Sequence, residues 1–220
     1  MLFDLDGTLV HSAPDIAYAA NLTLRDLGLA QQSYERIAGW IGDGMPRLMK
    51  RALTGEVDGE PGTKLLERGI QRFKAHYAAN LTRETECYPG VVVALHKLKS
   101  RGFSLGCVTN KAEAFAQPLL ERFDLMKYLS VVVAGDTVAA RKPDPLPLRY
   151  ACEKAGTNPA ESVLIGDSAN DVLGARAAGM KCIAVTYGYN QGLDMRALEP
   201  DFVVDSAVEV PQYLRLHSIE

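Results

Sequence analysis

The chain has 220 residues, 47% hydrophobic and 23% charged, with a net charge of −3; this is the balance of an ordinary globular fold, enough for one large domain or two small ones. The charge excludes the basic surface that nucleic acid requires. No run approaches the ~20 apolar residues that span a bilayer, and no signal peptide precedes the first apolar run, so neither nucleic acid nor membrane is expected as a partner.

Met1-Leu2-Phe3 reads as a short strand. It leads straight into Asp4-Leu5-Asp6-Gly7-Thr8. In an extended chain, residues two apart share a face, roughly 6.6 Å apart along the strand. Asp4 and Asp6 therefore project together, and Gly7 lets the backbone turn away. Two carboxylates that close repel unless a cation or a proton separates them.

Residues 14–86 read as helical throughout, with no strand. Ile16, Ala17, Ala20 and Leu24 recur at helical spacing up to Gly28, and Leu65, Leu66, Ile70, Phe73, Tyr77 and Leu81 do so again. Residues 55–62 are the loosest part. The segment carries ten Lys/Arg and ten Asp/Glu, so individual residues rather than bulk charge must select its ligand.

Beyond it, strands alternate with helices. Residues 104–109, 131–135, 163–166, 182–186 and 202–204 read as strands, and 91–101, 112–123, 147–156 and 169–179 as helices. Pro118 predicts a kink or a late start in the second of these helices. Nearly continuous apolar strands between helices imply a doubly wound parallel sheet covered on both faces. The fold class is therefore α/β, with a catalytic core formed by 1–13 and 87–220 and a helical cap, 14–86, inserted after the first strand. Cys87, Cys107, Cys152 and Cys182 are scattered without C-x-x-C spacing, which favours free thiols and a cytoplasmic location. His76, His96 and His217 lack metal spacing and read as exposed residues.

In such a sheet ligands bind beyond the carboxyl ends of the strands. Asp4 and Asp6 lie at one such end, Thr109 and Asn110 at a second, and Asp167 and Asp171 at a third. Lys142 follows the 131–135 strand in Arg141-Lys142-Pro143-Asp144-Pro145. Taken alone, each has a plainer reading. Asn110 with Glu113 has the spacing of a helix cap, as does Ser168 with Asp171, and a loop lysine is usually a solvated charge. Their convergence on one edge of one sheet argues for a phosphoryl-transfer site.

Asp4-Leu5-Asp6-Gly7-Thr8, Val108-Thr109-Asn110, Lys142-Pro143 and Gly166-Asp167-Ser168-Ala169-Asn170-Asp171 resemble, in order, the motifs of the haloacid dehalogenase-like superfamily. The resemblance covers essentially the whole chain. It implies Asp4 as nucleophile, forming an aspartyl-phosphate, and Asp6 as general acid and then base. It implies that Thr109, the Asn110 backbone N–H and Lys142 hold the transferring oxygens. It implies Mg²⁺ as cofactor, held by the Asp4 carboxylate, the Asp6 main-chain carbonyl and Asp167, with Asp171 in support. A charge count of four acids against Lys142 and Mg²⁺ leaves one excess negative charge, from which a proton on Asp6 is expected.

Within the superfamily, Ser12-Ala13-Pro14-Asp15-Ile16-Ala17, Gly42-Asp43-Gly44 with Arg47-Leu48, Tyr88-Pro89-Gly90, Thr109-Asn110-Lys111 and Tyr187-Gly188-Tyr189-Asn190 resemble the bacterial phosphoglycolate phosphatase branch. The implied reaction is hydrolysis of a small phosphate ester, 2-phosphoglycolate, by a monomer or homodimer. A cation from the cap would suit the substrate carboxylate, and Arg47 is the candidate, with Lys50 as alternate. Gly44, in the Gly42–Gly44 turn, would let the cap backbone approach the substrate. His11 stands where family members often carry Asp, beside the cap hinge. A sugar phosphomutase or sugar-phosphate phosphatase of the same superfamily is the alternative. A non-enzymatic phospho-acceptor module is a further rival, but it would lack an acid two residues beyond its nucleophile.

Overall fold

The computed structural model describes residues 1–190 and 192–212; His217 lies outside them. The central sheet has six parallel strands: β1 (Leu2–Phe3), β4 (Gly106–Val108), β5 (Val131–Val133), β6 (Val163–Gly166), β7 (Lys181–Val185) and β8 (Phe202–Val204). Their order is β5-β4-β1-β6-β7-β8. β1 and β6 are buried along their whole length, as an inner parallel strand must be when helices cover both faces. The switch point falls at β1, which pairs with β4 on one side and β6 on the other. The strands run in register, so the carboxyl ends of β1, β4 and β6 open at one place, where this class of sheet binds ligands.

Between β1 and the rest of the sheet lie four helices: α1 (Ala13–Asp26), α2 (Tyr34–Ala38), α3 (Met45–Thr54) and α4 (Thr63–Ala79). α1 starts with Pro14 in its first turn, and the chain turns away at Gly28 with φ +71°. α3 begins after Gly44 and closes on a left-handed Gly55. The helices share an apolar cluster built around Ile16, Ala20, Leu24, Trp40, Leu48, Phe73 and Tyr77. Burying each large side chain contributes about 1.5–3 kcal/mol. The cluster also takes in Phe115 from the sheet's own helix α6 (Glu113–Arg122), so the helical layer rests on the sheet beside the strand ends.

The two chain crossings into this layer are fastened together. Asp15, fully buried in the first turn of α1, accepts hydrogen bonds from the backbone N–H groups of Glu84 (2.9 Å) and Thr85 (2.8 Å) and from the Thr85 hydroxyl (2.6 Å). Alongside, β2 (Val10–His11) pairs antiparallel with β3 (Glu86–Cys87). This ribbon corrects the reading of 14–86 as free of strands, because Glu86 belongs to it. Two residues per strand carry too little periodicity to announce themselves in sequence.

Three further helices cover the sheet: α5 (Val91–Ser100), α7 (Leu146–Lys154) and α8 (Ala169–Ala178). Pro118 lies inside α6 without delaying its start. Phe115, Ala116, Leu119 and Leu120 are buried on that helix, and their packing offsets the backbone bond that proline forgoes. Among the described residues, no helix is long and apolar enough to cross a membrane.

Candidate active site

The Asp4 backbone N–H donates to the Ile165 carbonyl of β6 at 2.9 Å, fixing the residue as β1 ends. The chain then turns tightly. Leu9 and Val10 both donate to the Leu5 carbonyl, and Gly7 donates to the Val10 carbonyl. Gly7 has φ +87°, and a side chain there would overlap the Asp167 carboxylate. Glycine is needed twice over, for the backbone conformation and for the contact. Thr8, one step on, donates its hydroxyl to Asp167 Oδ1 at 2.7 Å.

Thr109 is held at the end of β4 by its N–H bond to the Val133 carbonyl. Its hydroxyl oxygen accepts from the Lys111 N–H at 3.2 Å, which leaves the hydroxyl proton to be donated. Asn110 does not cap α6. Its side-chain amide donates to the Gly42 and Lys142 carbonyls, each at 2.9 Å, while Asp136 accepts from the Glu113 N–H at 2.8 Å and performs the capping. A residue from a following loop thus outcompetes the local pattern. The bond to Gly42 ties the helical layer to the core, and Asn170 adds a second tie through Asp43 at 2.8 Å.

Lys142 is buried, with its ammonium 2.6 Å from Asp171 Oδ1 and 3.0 Å from Asp4 Oδ1. Burial alone would lower its pKa, but the Asp171 and Asp4 carboxylates outweigh that and hold the ammonium above its usual value. Asp171 also closes the start of α8 through its Oδ2, which accepts from the Ser168 N–H (3.1 Å) and hydroxyl (2.7 Å). The Ser168–Asp171 spacing is therefore a cap and a charge anchor at once.

Asp4, Asp167 and Asp171 present carboxylate oxygens within 4.8 Å of one another, all three buried. Burial pushes the Asp4 carboxyl up to about 7; Lys142 opposes the shift and Asp171 reinforces it. Burial, joined by Asp4 and Asp171, raises Asp167 well above the carboxylate range. Three buried acids against one buried lysine leave an excess of negative charge. Oxygen donors with that excess are what a hard divalent cation takes, so these residues fit Mg²⁺.

Asp6 sits otherwise. Its carboxylate accepts from Lys111 Nζ at 2.9 and 3.0 Å and from the Ser12 hydroxyl. The sequence-based charge count omits Lys111. With that ammonium included, Lys142, Lys111 and Mg²⁺ balance the four acids. Lys111 is a pocket residue that sequence reasoning did not single out. Its signal was its place in Thr109-Asn110-Lys111, directly after a strand end.

A pocket opens between these strand ends and the helical layer. Asp4, Asp6, Thr109, Asn110 and Lys111 line the core side, and Gly42, Gly44 and apolar side chains line the other. A water molecule's centre can range over about 60 Å³ of it, which is room for a few waters or one small ester. Gly44, φ +81°, approaches so closely that a Cβ there would stand 3.3 Å from the Asn110 carbonyl oxygen. Arg47 does not reach this pocket. Its guanidinium is bound to Asp58 at 2.6 Å and lies 3.8 Å from Glu60, and Lys50 is 2.7 Å from Glu60. The loose loop that follows α3 supplies both acids, and they draw these cations outward.

The Tyr187-Gly188-Tyr189 run closes the Asp167 side. The Tyr189 N–H donates to Asp167 Oδ2 at 2.6 Å, and its phenol accepts from the Ala13 N–H at 2.8 Å. His11 Nδ1 lies 3.0 Å from the same phenol and 3.2 Å from that of Tyr88. His11 thus stands at the crossing into the helical layer, on the β2–β3 ribbon, bonded to two tyrosines.

A doubly wound sheet with acids, a threonine and a lysine gathered at its switch point is an arrangement suited to phosphoryl transfer. The model of the haloacid dehalogenase-like hydrolases matches residues 1–185, and the chain belongs to that family. It is 45% identical to a Nitrosospira multiformis protein named phosphoglycolate phosphatase, over 99% of this chain and 96% of that one. It is 46% identical to a protein of the same name from Thiobacillus denitrificans, over 95% and 92%. The crystal structure of a predicted phosphoglycolate phosphatase from Haemophilus somnus superposes with a TM-score of 0.91, at 34% identity over 96% of both chains.

Proposed function

We propose that this protein is a Mg²⁺-dependent phosphomonoester hydrolase, acting in the cytoplasm on 2-phosphoglycolate to give glycolate and phosphate. Residues 1–13 and 87–220 act as the catalytic core and 14–86 as its cap. The observation that carries the chemistry is the meeting of Asp4, Asp6, Thr109 and Lys142 with the Asp4–Asp167–Asp171 cluster at the ends of β1, β4 and β6. The similarity to named phosphoglycolate phosphatases supports the choice of ester.

In this reading Asp4 attacks phosphorus and becomes the aspartyl-phosphate, while Asp6 enters the step protonated, gives that proton to the departing alkoxide, and as the carboxylate left behind later takes a proton from the attacking water. The Thr109 hydroxyl, the Asn110 backbone N–H and the Lys142 ammonium hold the oxygens on which charge builds. Asp4, the Asp6 carbonyl and Asp167 would hold Mg²⁺, with Asp171 anchoring Lys142 beside them; when bound, the ion neutralises charge on the transferring phosphoryl group. Phosphate release measured over a panel of small monoesters with Mg²⁺ tests the reading. It expects the highest kcat/KM for 2-phosphoglycolate and one phosphate per substrate consumed. A sugar phosphate preferred over it, or consumption without free phosphate, overturns the proposal.

A further inference from the structure

Lys111 is buried, and its ammonium lies 2.7 Å from the Tyr77 hydroxyl as well as against both oxygens of Asp6. The Tyr77 ring lies beneath it, with its centroid 4.7 Å from the nitrogen. Burial and the nearby Asp6 hold the Tyr77 phenol well above its ordinary pKa, so it meets the ammonium as a neutral acceptor. Among the described residues lining the pocket, Lys111 is the one cation. Facing it across the pocket are Ile16, Ile41, Met45, Leu48 and Phe73, none of which can bind an anion. Arg47 and Lys50 are engaged by Asp58 and Glu60 outside the pocket.

A leaving group that carries a carboxylate cannot enter such a pocket unpaired, because an isolated buried charge costs several kcal/mol. In 2-phosphoglycolate the carboxyl carbon is two bonds from the ester oxygen. That oxygen is the atom Asp6 must protonate, so the carboxylate arrives beside whatever cation Asp6 already holds. An ammonium has three N–H donors. Here they meet Asp6 Oδ1, Asp6 Oδ2 and the Tyr77 hydroxyl; an Asp6 that carries the proton for the leaving group releases one of them, and that N–H turns to the ligand's carboxylate. We propose that Lys111 is the specificity-determining residue of this site, its ammonium binding the leaving group's carboxylate from its seat between Asp6 and Tyr77. The inference rests on the phosphoglycolate reading and replaces Arg47 in the role the sequence suggested for it.

The test compares kcat/KM for 2-phosphoglycolate and for ethyl phosphate, which has a methyl group in place of the carboxylate, in the wild-type protein and in Lys111→Met. Losing one partner of a buried charge pair is expected to lower kcat/KM for 2-phosphoglycolate by about 30-fold or more. The fall for ethyl phosphate is expected to be at least tenfold smaller. Lys111→Arg, which keeps the charge, is expected to retain more of the preference. If Lys111→Met fails to fold, Lys111→Gln takes its place. Equal losses for both esters would mean that Lys111 merely positions Asp6, and would overturn the inference. So would a preference for 2-phosphoglycolate that survives loss of the charge, although the substrate reading would then stand. A wild-type protein without that preference overturns both.

Discussion

The two walls of the pocket are built on opposite plans. The core wall is charged: its polar side chains hang from the ends of buried strands or the loops after them, and the acids packed behind it are held by further bonds. Thr8 and Tyr189 hold Asp167, Ser168 and Lys142 hold Asp171, and Ile165 holds the Asp4 backbone. The wall across from it comes from helix faces and is apolar, with Lys111 reaching from the core to meet it at Tyr77. Chemistry is thus assigned to the sheet, where geometry is fixed, and fit to the helices, where side chains of similar volume can be exchanged at modest cost.

Asp4→Asn should break the core wall most completely. An amide keeps the shape and cannot form the acyl phosphate, so turnover should fall by on the order of 10⁴-fold or more. Steady-state phosphate release measures the loss, and circular dichroism checks that the fold survives. Undiminished turnover would remove Asp4 from the centre of the reaction.

The same division decides what could be read from the sequence. Asp4-Leu5-Asp6-Gly7-Thr8 is legible because its roles are local: the strand period sets which side chains face together, and Gly7 marks the turn. The buried acid cluster joins Asp4 and Asp167, each just past an apolar strand, to Asp171 in the first turn of α8. Asn110 misled because the chain around it offers a cap that the folded protein fills with Asp136 from another segment. Arg47 misled because its true partners lie in the next loop, at Asp58 and Glu60. Lys111 was written in the sequence, but its partner Tyr77 lies thirty-four residues earlier and on a different layer. Partners that meet only across the pocket leave no spacing to detect.

The charge excess on the core wall makes a second prediction. Asp4 holds its proton up to about pH 7 in the folded state, against an ordinary value of 3.8. The folded state therefore binds more protons than the unfolded chain between those values, and this group's contribution to stability falls as pH rises through the window. Mg²⁺ would take the proton's place. Mg²⁺ at about 100 times its dissociation constant should add about 2.7 kcal/mol, in full above pH 7 and less at pH 5, where the proton competes. Thermal melts with Mg²⁺ and with EDTA at both pH values measure the difference. A gain that is larger at pH 5 would contradict the assignment, and Asp4→Asn should flatten the dependence.

The seam between the two plans is Asp15. Asp15→Asn places an amide N–H₂ against the donors of Glu84 and Thr85 and loses charge-assisted bonds worth about 1.5–3 kcal/mol. For a chain of this size the melting temperature should fall by on the order of 5–10 °C. Thr85→Val removes only the hydroxyl and should cost about 1 kcal/mol. If Asp15→Asn melts like the wild type, then the β2–β3 ribbon alone holds the two crossings together.

Arg47→Ala is the gentlest change and the one that bears most directly on the contrast between the walls. The Arg47 side chain is 34% exposed and Asp58 is 87% exposed, so their ion pair is solvent-screened and worth about 0–1 kcal/mol. Its removal should shift the melting temperature by no more than about 4 °C. The decisive reading is the ratio of kcat/KM for 2-phosphoglycolate to that for ethyl phosphate. If helical-layer cations stay tied to their own loop during turnover, Arg47→Ala should alter that ratio by less than about twofold, well below the effect of losing Lys111. A tenfold fall would mean that Arg47 leaves Asp58 and Glu60 and turns inward when substrate binds. The apolar wall would then acquire charge during turnover, and specificity would be divided between the sheet and the helices.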